Sequence, residues 1–300
     1  METYVITGSI GHISKPVIKE LVKAGKNVRV ITSSGNRVQE IQGIGATALV
    51  GNVEDKAFLK TAFKDADVVY TMIPPIWQTT NWLNTMQEVA ENYAQALQDN
   101  DVKYVVNLSS IGADVGNGTG PVDGLYYFEK LLNAIPGLNI KHLRPAYFYS
   151  NFLAQIGMIK QAGIMGGNFG EGEKVFLTHT NDIATAALEE LLSLKFSGNS
   201  VRYIISDERS GKEIAQAIGN AIGIALPWVV FTDDQQKQGF LEAGLSETHA
   251  ENYTALGRAI REGYMQADAR KNKPQFGKTK LEDFAKEFAT IFNSEVAVAE

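Results

Sequence analysis

The sequence predicts an α/β protein, a doubly wound parallel sheet carrying a smaller, mainly helical C-terminal lobe. Three observations lead there. Residues 4–25 read as strand, glycine turn and helix. Apolar runs then alternate with helical patterns four times before residue 110. Residues 66–73 form a nearly continuous apolar strand, the pattern of a strand buried on both faces of a parallel sheet. At 300 residues the chain exceeds a usual single core, so the expected division is a main domain over 1–155, rejoined by 175–206, and a smaller lobe over 156–300.

In the first unit, Tyr4-Val-Ile-Thr is β-branched or aromatic and reads as a buried strand. Gly8 and Gly11 turn the chain, and Ile13, Val17, Leu21 and Val22 share one helical face up to Gly25, with Pro16 tolerated in the first turn. A glycine turn between strand and helix presents unpaired N–H groups to an anion. Gly8 permits the tight turn and Gly11 lets backbone approach a pyrophosphate, so Gly8, Ser9, Ile10, Gly11, His12 and Ile13 are candidate dinucleotide contacts. The third small position is Ser14 rather than Gly.

The second strand, residues 27–32, arrives where such a fold meets the adenosine ribose. Thr32, Ser33 and Ser34 stand there with Arg37 nearby, and no carboxylate opposes a 2′-phosphate. That pattern tilts the expected cofactor to NADP, with NAD as the alternative. Residues 37–45 suit a helix, 46–50 a strand, and Asp55 is placed to cap a helix over 56–64. Asn52 and Val53 after the third strand, and Met72, Ile73 and Pro74 after the fourth, are placed to border adenine and the pyrophosphate. Trp77 and Trp82 read as packing anchors before a helix over 83–98.

Residues 103–110 form a strand ending in two hydroxyls, Ser109 and Ser110. The glycine-rich stretch that follows predicts irregular structure up to Tyr126, where a helix begins. Tyr126 and Lys130 stand four residues apart and so share one helical face. A free phenol, with a pKa of about 10, is a poor acid at neutral pH, but an ammonium beside it favours the phenolate. With Ser109 or Ser110 holding an oxygen nearby, these side chains form a candidate proton-transfer set beside a hydride carrier.

The N-terminal glycine turn, Asn107-Leu-Ser-Ser110 and the Tyr126-to-Lys130 spacing resemble the short-chain dehydrogenase/reductase superfamily. The chain is further similar to its atypical NmrA-like branch through residues 143–151, Leu-Arg-Pro-Ala-Tyr-Phe-Tyr-Ser-Asn, and through Thr178-His-Thr-Asn-Asp-Ile-Ala, in which Asp182 is expected to cap a helix. That resemblance covers about the first 210 residues. It implies a Rossmann-like fold, Lys130 on the nicotinamide ribose, Tyr147 among the cofactor contacts, and a substrate lobe built after Asn151. Ser33 stands where many members of the branch carry Arg, and many of them lack the tyrosine.

Residues 163–172 are as glycine-rich as the first turn but follow a helical stretch, whose C-terminal dipole end repels phosphate; they read as a connector. Helices are expected over 183–194, 210–223, 234–244, 247–263 and 281–293. Phe231, Phe240, Tyr253 and Tyr264 read as core, with a cleft lining as the other reading. The basic group Arg270, Lys271, Lys273, Lys278 and Lys280 reads as a solvated loop.

Composition excludes several classes. The absence of Cys removes disulfides and a thiol nucleophile, and four scattered His show no ligand spacing, so no metal is expected. A net charge of −6 argues against a nucleic-acid partner. No long apolar run or cationic leader is seen, so no membrane partner and a cytoplasmic location are expected. The expected partner is a small-molecule substrate, with a homodimer left open. The reading is an NADPH-dependent reductase of a quinone or small carbonyl compound. Its rivals are a non-catalytic NADP(H)-sensing regulator and a nucleotide-sugar epimerase, the latter short of a basic cluster for a second diphosphate.

Overall fold

The computed structural model describes residues 2–75, 79, 81–170 and 172–297. The first apolar run is β1 (Thr3–Ile6), buried throughout. It leads into α1 (Ser14–Lys23), which buries Val17, Ile18 and Leu21. Gly25, at φ +75°, ends that helix by turning the N–H groups of Gly25 and Lys26 back onto the carbonyls of Val22 and Leu21. The alternation continues through β2 (Asn27–Thr32), α2 (Val38–Gly43), β3 (Thr47–Val50), α3 (Lys56–Ala62), β4 (Val68–Thr71), α4 (Trp82–Asp99), β5 (Tyr104–Leu108), α5 (Val122–Asn133) and β6 (Asn139–Pro145). Asp55 caps α3, accepting from the Ala57 and Phe58 N–H groups at 2.9 and 3.0 Å.

The chain then forms β7 (Tyr147–Phe148), α6 (Ile156–Ala162), β8 (Met165–Gly167), β9 (Val175–Thr178), α7 (Thr180–Ser193), β10 (Asn199–Ile204), β11 (Asp207–Arg209), α8 (Gly211–Ile222), β12 (Trp228–Val230), α9 (Asp233–Glu242), α10 (Glu247–Arg261), α11 (Ala267–Asn272) and α12 (Leu281–Ala297). Two compact units result. One holds residues 1–113, 122–144 and 183–202; the other holds 114–121, 145–182 and 203–300. The cut falls at Arg144 rather than at 155, because after Pro145 the chain pairs β7 with β9 in a separate three-stranded sheet, β11-β9-β7.

The main sheet of the described residues has seven strands in the order β10-β6-β5-β4-β1-β2-β3. The pairs β1–β2, β1–β4, β2–β3, β4–β5 and β5–β6 are all parallel. Strand order therefore reverses between β1 and β4, the point beyond whose carboxyl ends such sheets bind ligands. One face is apolar at Val5, Val69, Val105 and Ile140, which share a core with α3, α4 and α5. There Phe63, Tyr93 and Phe128 stack with ring centroids 6.1 and 5.6 Å apart. Two residues further along each strand the same face turns polar, at Thr7, Thr71, Asn107 and His142, all fully or nearly fully buried.

Those polar groups satisfy one another. Thr71 Oγ1 donates to Asn107 Oδ1 at 3.0 Å, and Asn107 Nδ2 donates to His142 Nδ1 at 3.1 Å. The imidazole then carries its proton on Nε2, facing Asn133 Oδ1 at 2.9 Å. Burial holds this histidine neutral, its pKa lowered to about 4.

Five expectations are corrected. α5 starts at Val122, not at Tyr126, and runs through Gly124, where any Cβ would press within 2.8 Å of the Met86 side chain on α4. Asp182 lies inside the first turn of α7; His179 Nδ1 accepts the Asn181 N–H at 3.1 Å in its place, and Asp182 instead accepts from the Ser206 and Thr279 hydroxyls. The glycine-rich stretch 163–172 is more than a connector. It contains β8, parallel to β12, and Gly170, with Gly211 beyond the stretch, gives the Trp228 indole room to pack. Arg270 and Lys271 sit in α11 rather than in a loop, with Arg270 over the Phe176 ring at 4.3 Å and paired to Glu208 at 2.6 Å. Phe231, Phe240, Tyr253 and Tyr264 are half-buried rather than core. Trp82 is buried in the core of the first unit, whereas Trp77 lies outside the described residues. No described helix is long and apolar enough to cross a membrane.

The neutral His142 sets a pH dependence. Its folded pKa lies below the unfolded value of about 6.5, so its contribution is complete above pH 6.5 and declines as pH falls toward 4, by about 3 kcal/mol in all. Urea unfolding of the unaltered chain and of His142→Gln should show a stability difference that shrinks by about that amount between pH 7 and pH 4. A pH-independent difference would mean the ring is not held neutral.

Candidate functional site

At the carboxyl end of β1 the chain makes an abrupt turn. Gly8 has φ +87° and Ser9 φ +56°, both in the left-handed region. A Cβ on Gly8 would overlap the Met72 side chain, so a larger residue there must displace that side chain as well as adopt a left-handed φ. Thr7 Oγ1 accepts the Met72 N–H at 2.9 Å, and the Met72 carbonyl accepts Tyr93 Oη at 3.1 Å. These bonds lock the two strand ends together. Burial pushes the Tyr93 phenol well above its ordinary range, leaving it a hydrogen-bond donor.

Beyond the turn, Gly11 and His12 are exposed and Ile13 is half-buried. The position before α1 is Ile13, and no side chain caps the helix. Its first N–H groups lack a side-chain acceptor, and a Cβ on Gly11 would come no closer than 3.8 Å to Gly8 O, so the turn is open outward. An uncapped helix start behind an open glycine turn fits a pyrophosphate. Ile10 is buried beneath it.

A second polar group lies at the end of β2. Ser9 Oγ donates to Thr32 Oγ1 at 3.0 Å and accepts from Arg37 Nη1 at 3.3 Å; the Ser34 N–H reaches Thr32 Oγ1 at 3.3 Å. Ser33 and Arg37 are exposed. Thr32 thus joins the turn to the ribose end, and no carboxylate lies between residues 32 and 37. Asn52 is exposed with Oδ1 on the Glu54 N–H, Val53 and Ile73 are buried, and Met72 and Pro74 are half-buried.

The residues of the proton-transfer set fare differently. On α5, Lys130 Nζ sits over the Tyr126 ring, 5.4 Å from its centroid; Tyr126 is half-buried and Lys130 exposed. Tyr127 turns away, its hydroxyl donating to Glu91 on α4 at 2.8 Å. Ser109 is buried and donates its hydroxyl to Glu129 at 2.5 Å, so it is committed inside the protein. Ser110 remains half-buried, its hydroxyl on the Ile111 carbonyl at 2.9 Å. Tyr147 belongs to the second unit, with its ring against Phe152 and Phe169 and its phenol pushed up to about 12 by burial.

Sequence patterns pointed to neither Thr7, Tyr93 nor Glu129. The one available signal was the alternation of polar residues at the ends of β1, β4 and β5, which marks a buried face turning polar. Among the described residues no cluster of His, Asp or Glu has the makings of a metal site.

Residues 8–135 match the family described as NAD(P)H-binding. The match takes in the turn, the ends of β2 and β4, and Tyr126 with Lys130. An NAD(P)H azoreductase from Xenophilus azovorans is 23% identical over 254 residues, 84% of this chain and 85% of that protein. Among solved structures, an NADPH-dependent quinone oxidoreductase from Escherichia coli complexed with NADPH superposes with a TM-score of 0.77 at 18% identity, covering 95% of this chain and 99% of that one. NmrA, a negative transcriptional regulator, in complex with NADP superposes with a TM-score of 0.73 at 15% identity, covering 98% and 97%.

The tight turn makes Gly8 the most exacting position of the cradle. Gly8→Ala should lose about 1–2 kcal/mol of stability in urea unfolding from the left-handed backbone alone. It should also weaken NADPH binding by about tenfold or more, because either the turn or the Met72 side chain beside it must shift. A neutral substitution would show that the turn is not strained against β4.

Proposed function

We propose that the chain, whose residues 8–135 match an NAD(P)H-binding family, is an NADPH-dependent reductase of a quinone or a small carbonyl compound, of the NmrA-like, atypical short-chain dehydrogenase/reductase type whose fold it shares. The observation that carries this reading is Lys130 poised over the half-buried Tyr126, on a helix fastened to the end of β5. The azoreductase and quinone oxidoreductase likenesses support a reductase in general.

The N–H groups of the turn beyond Ser9, whose own N–H is taken by the Ile31 carbonyl, would hold the pyrophosphate together with the helix dipole at the start of α1. Ser9, Thr32, Ser33, Ser34 and Arg37 supply hydroxyls and one guanidinium to the 2′-phosphate, which favours NADPH over NADH. Asn52, Val53, Met72, Ile73 and Pro74 border the adenine and pyrophosphate, and Lys130 binds the nicotinamide ribose. Bound NADPH supplies the hydride. Tyr126 gives the matching proton to the acceptor oxygen, Ser110 hydrogen-bonds that oxygen, and solvent restores the phenol proton. One hydride and one proton complete a two-electron reduction of either a quinone or a carbonyl.

Oxidation of NADPH in the presence of a panel of quinones, aldehydes and ketones tests the reading. The unaltered chain should turn over at least one of them, and Tyr126→Phe should lower kcat by about 10²-fold with NADPH affinity unchanged. If NADPH binds yet no acceptor is reduced, the reductase reading is lost and the cofactor-sensing one gains.

A further inference from the structure

Two polar rungs cross from the sheet to α5. β5 and β6 pair with Asn107 opposite His142 and Leu108 opposite Leu143, so alternate residues of both strands face the same helix. The first rung is Asn107, His142 and Asn133. The second, one step nearer the carboxyl ends, is Ser109, Arg144 and Glu129. Glu129 Oε1 accepts from Ser109 Oγ at 2.5 Å and from Arg144 Nε at 3.0 Å, while Oε2 accepts from Arg144 Nη2 at 2.6 Å. Glu129 and Arg144 are only 4% and 7% exposed. On the helix, Glu129 and Asn133 are one turn apart, so both rungs grip the same face of α5.

A buried ion pair is a poor way to gain stability, because desolvating two charges offsets most of their attraction and an apolar pair of similar volume would serve as well. What a bidentate pair does supply is geometry. Glu129 adjoins Lys130 and lies three residues after Tyr126. A carboxylate held at both oxygens, from two strands, fixes the rotation and height of the helical turn that carries both. We propose that Glu129 and Arg144 are positioning residues for the reduction, setting Tyr126 and Lys130 through α5 while touching neither substrate nor cofactor. This inference rests on the reductase reading above.

The test separates positioning from simple stabilisation. Three variants, Glu129→Gln, Arg144→Lys and the double variant Glu129→Gln with Arg144→Met, are compared with the unaltered chain for Tm, for NADPH affinity, and for kcat and KM with a soluble benzoquinone. Glu129→Gln removes the buried carboxylate charge and one of the two oxygens that hold the Arg144 fork, and should lower both Tm and kcat. The double variant removes both charges, so its Tm should recover. Its kcat should nonetheless stay depressed by about tenfold or more, with NADPH affinity and KM within about threefold of the original. Arg144→Lys keeps the charge but loses the two-point hold, and its kcat should fall without a matching loss of Tm. If kcat returns together with Tm in the double variant, the pair is structural only and the inference is overturned while the reductase reading stands. If the unaltered chain binds NADPH and reduces nothing, the reductase reading fails and takes the inference with it. Should Glu129→Gln not fold, the double variant and Arg144→Lys decide the matter.

Discussion

The first unit depends on one close approach, the passage of the Gly8 backbone against Met72 where strand order reverses. The connections that leave β1 and β4 part there, and the crevice between them is where such folds bind a ligand. Thr7 and Tyr93 hold the two strand ends together through the Met72 backbone. With that junction fixed, the chain after Gly8 has one direction to run, and α1 starts with its N–H groups free of any side-chain cap. The proposed anion site is thus a consequence of backbone geometry more than of any charged side chain, which suits a chain with a net charge of −6.

The sheet face that carries the site changes character along its length. Val5, Val69, Val105 and Ile140 pack under the helices. Thr7, Thr71, Asn107, Ser109, His142 and Arg144 continue the same rows toward the carboxyl ends, buried and hydrogen-bonded. Burying polar groups is costly unless each finds a partner, and here partners come from neighbouring strands and from α5. The apolar half holds α5 in place; the polar half sets how it is turned. The Tyr126 phenol on that helix inherits its orientation from the strands behind it.

Much of this was legible in the sequence, and the reasons are local. Gly8 and Gly11 between a β-branched run and an amphipathic helix mark the strand–turn–helix that is found, and Asp55 caps the helix its position announces. The alternation of strands with helices specified the sheet because each period is a property of neighbouring residues. What stayed hidden is tertiary. Pro121 and Asp123 do signal a helix start near residue 122, but Gly124 obscures it, since that glycine is suited to α5 by its distance from Met86, 38 residues earlier. Asp182 has the chemistry of a cap but is claimed by Ser206 and Thr279. Ser109 and Ser110 are indistinguishable by composition; only the placement of Glu129 shows that the first is spoken for. The glycines of residues 163–172 read as a connector, whereas Gly170, with Gly211, makes room for Trp228.

The central claim is that the open turn after β1 holds a nicotinamide dinucleotide by its phosphates. Calorimetric titration of the full chain with NADPH and, separately, with NADH tests it most directly. The account predicts saturable binding of one NADPH per chain, about tenfold or more tighter than NADH, since Arg37 and the hydroxyls around Thr32 meet a 2′-phosphate with no opposing carboxylate. Absence of saturable binding by either nucleotide at millimolar concentration would contradict it.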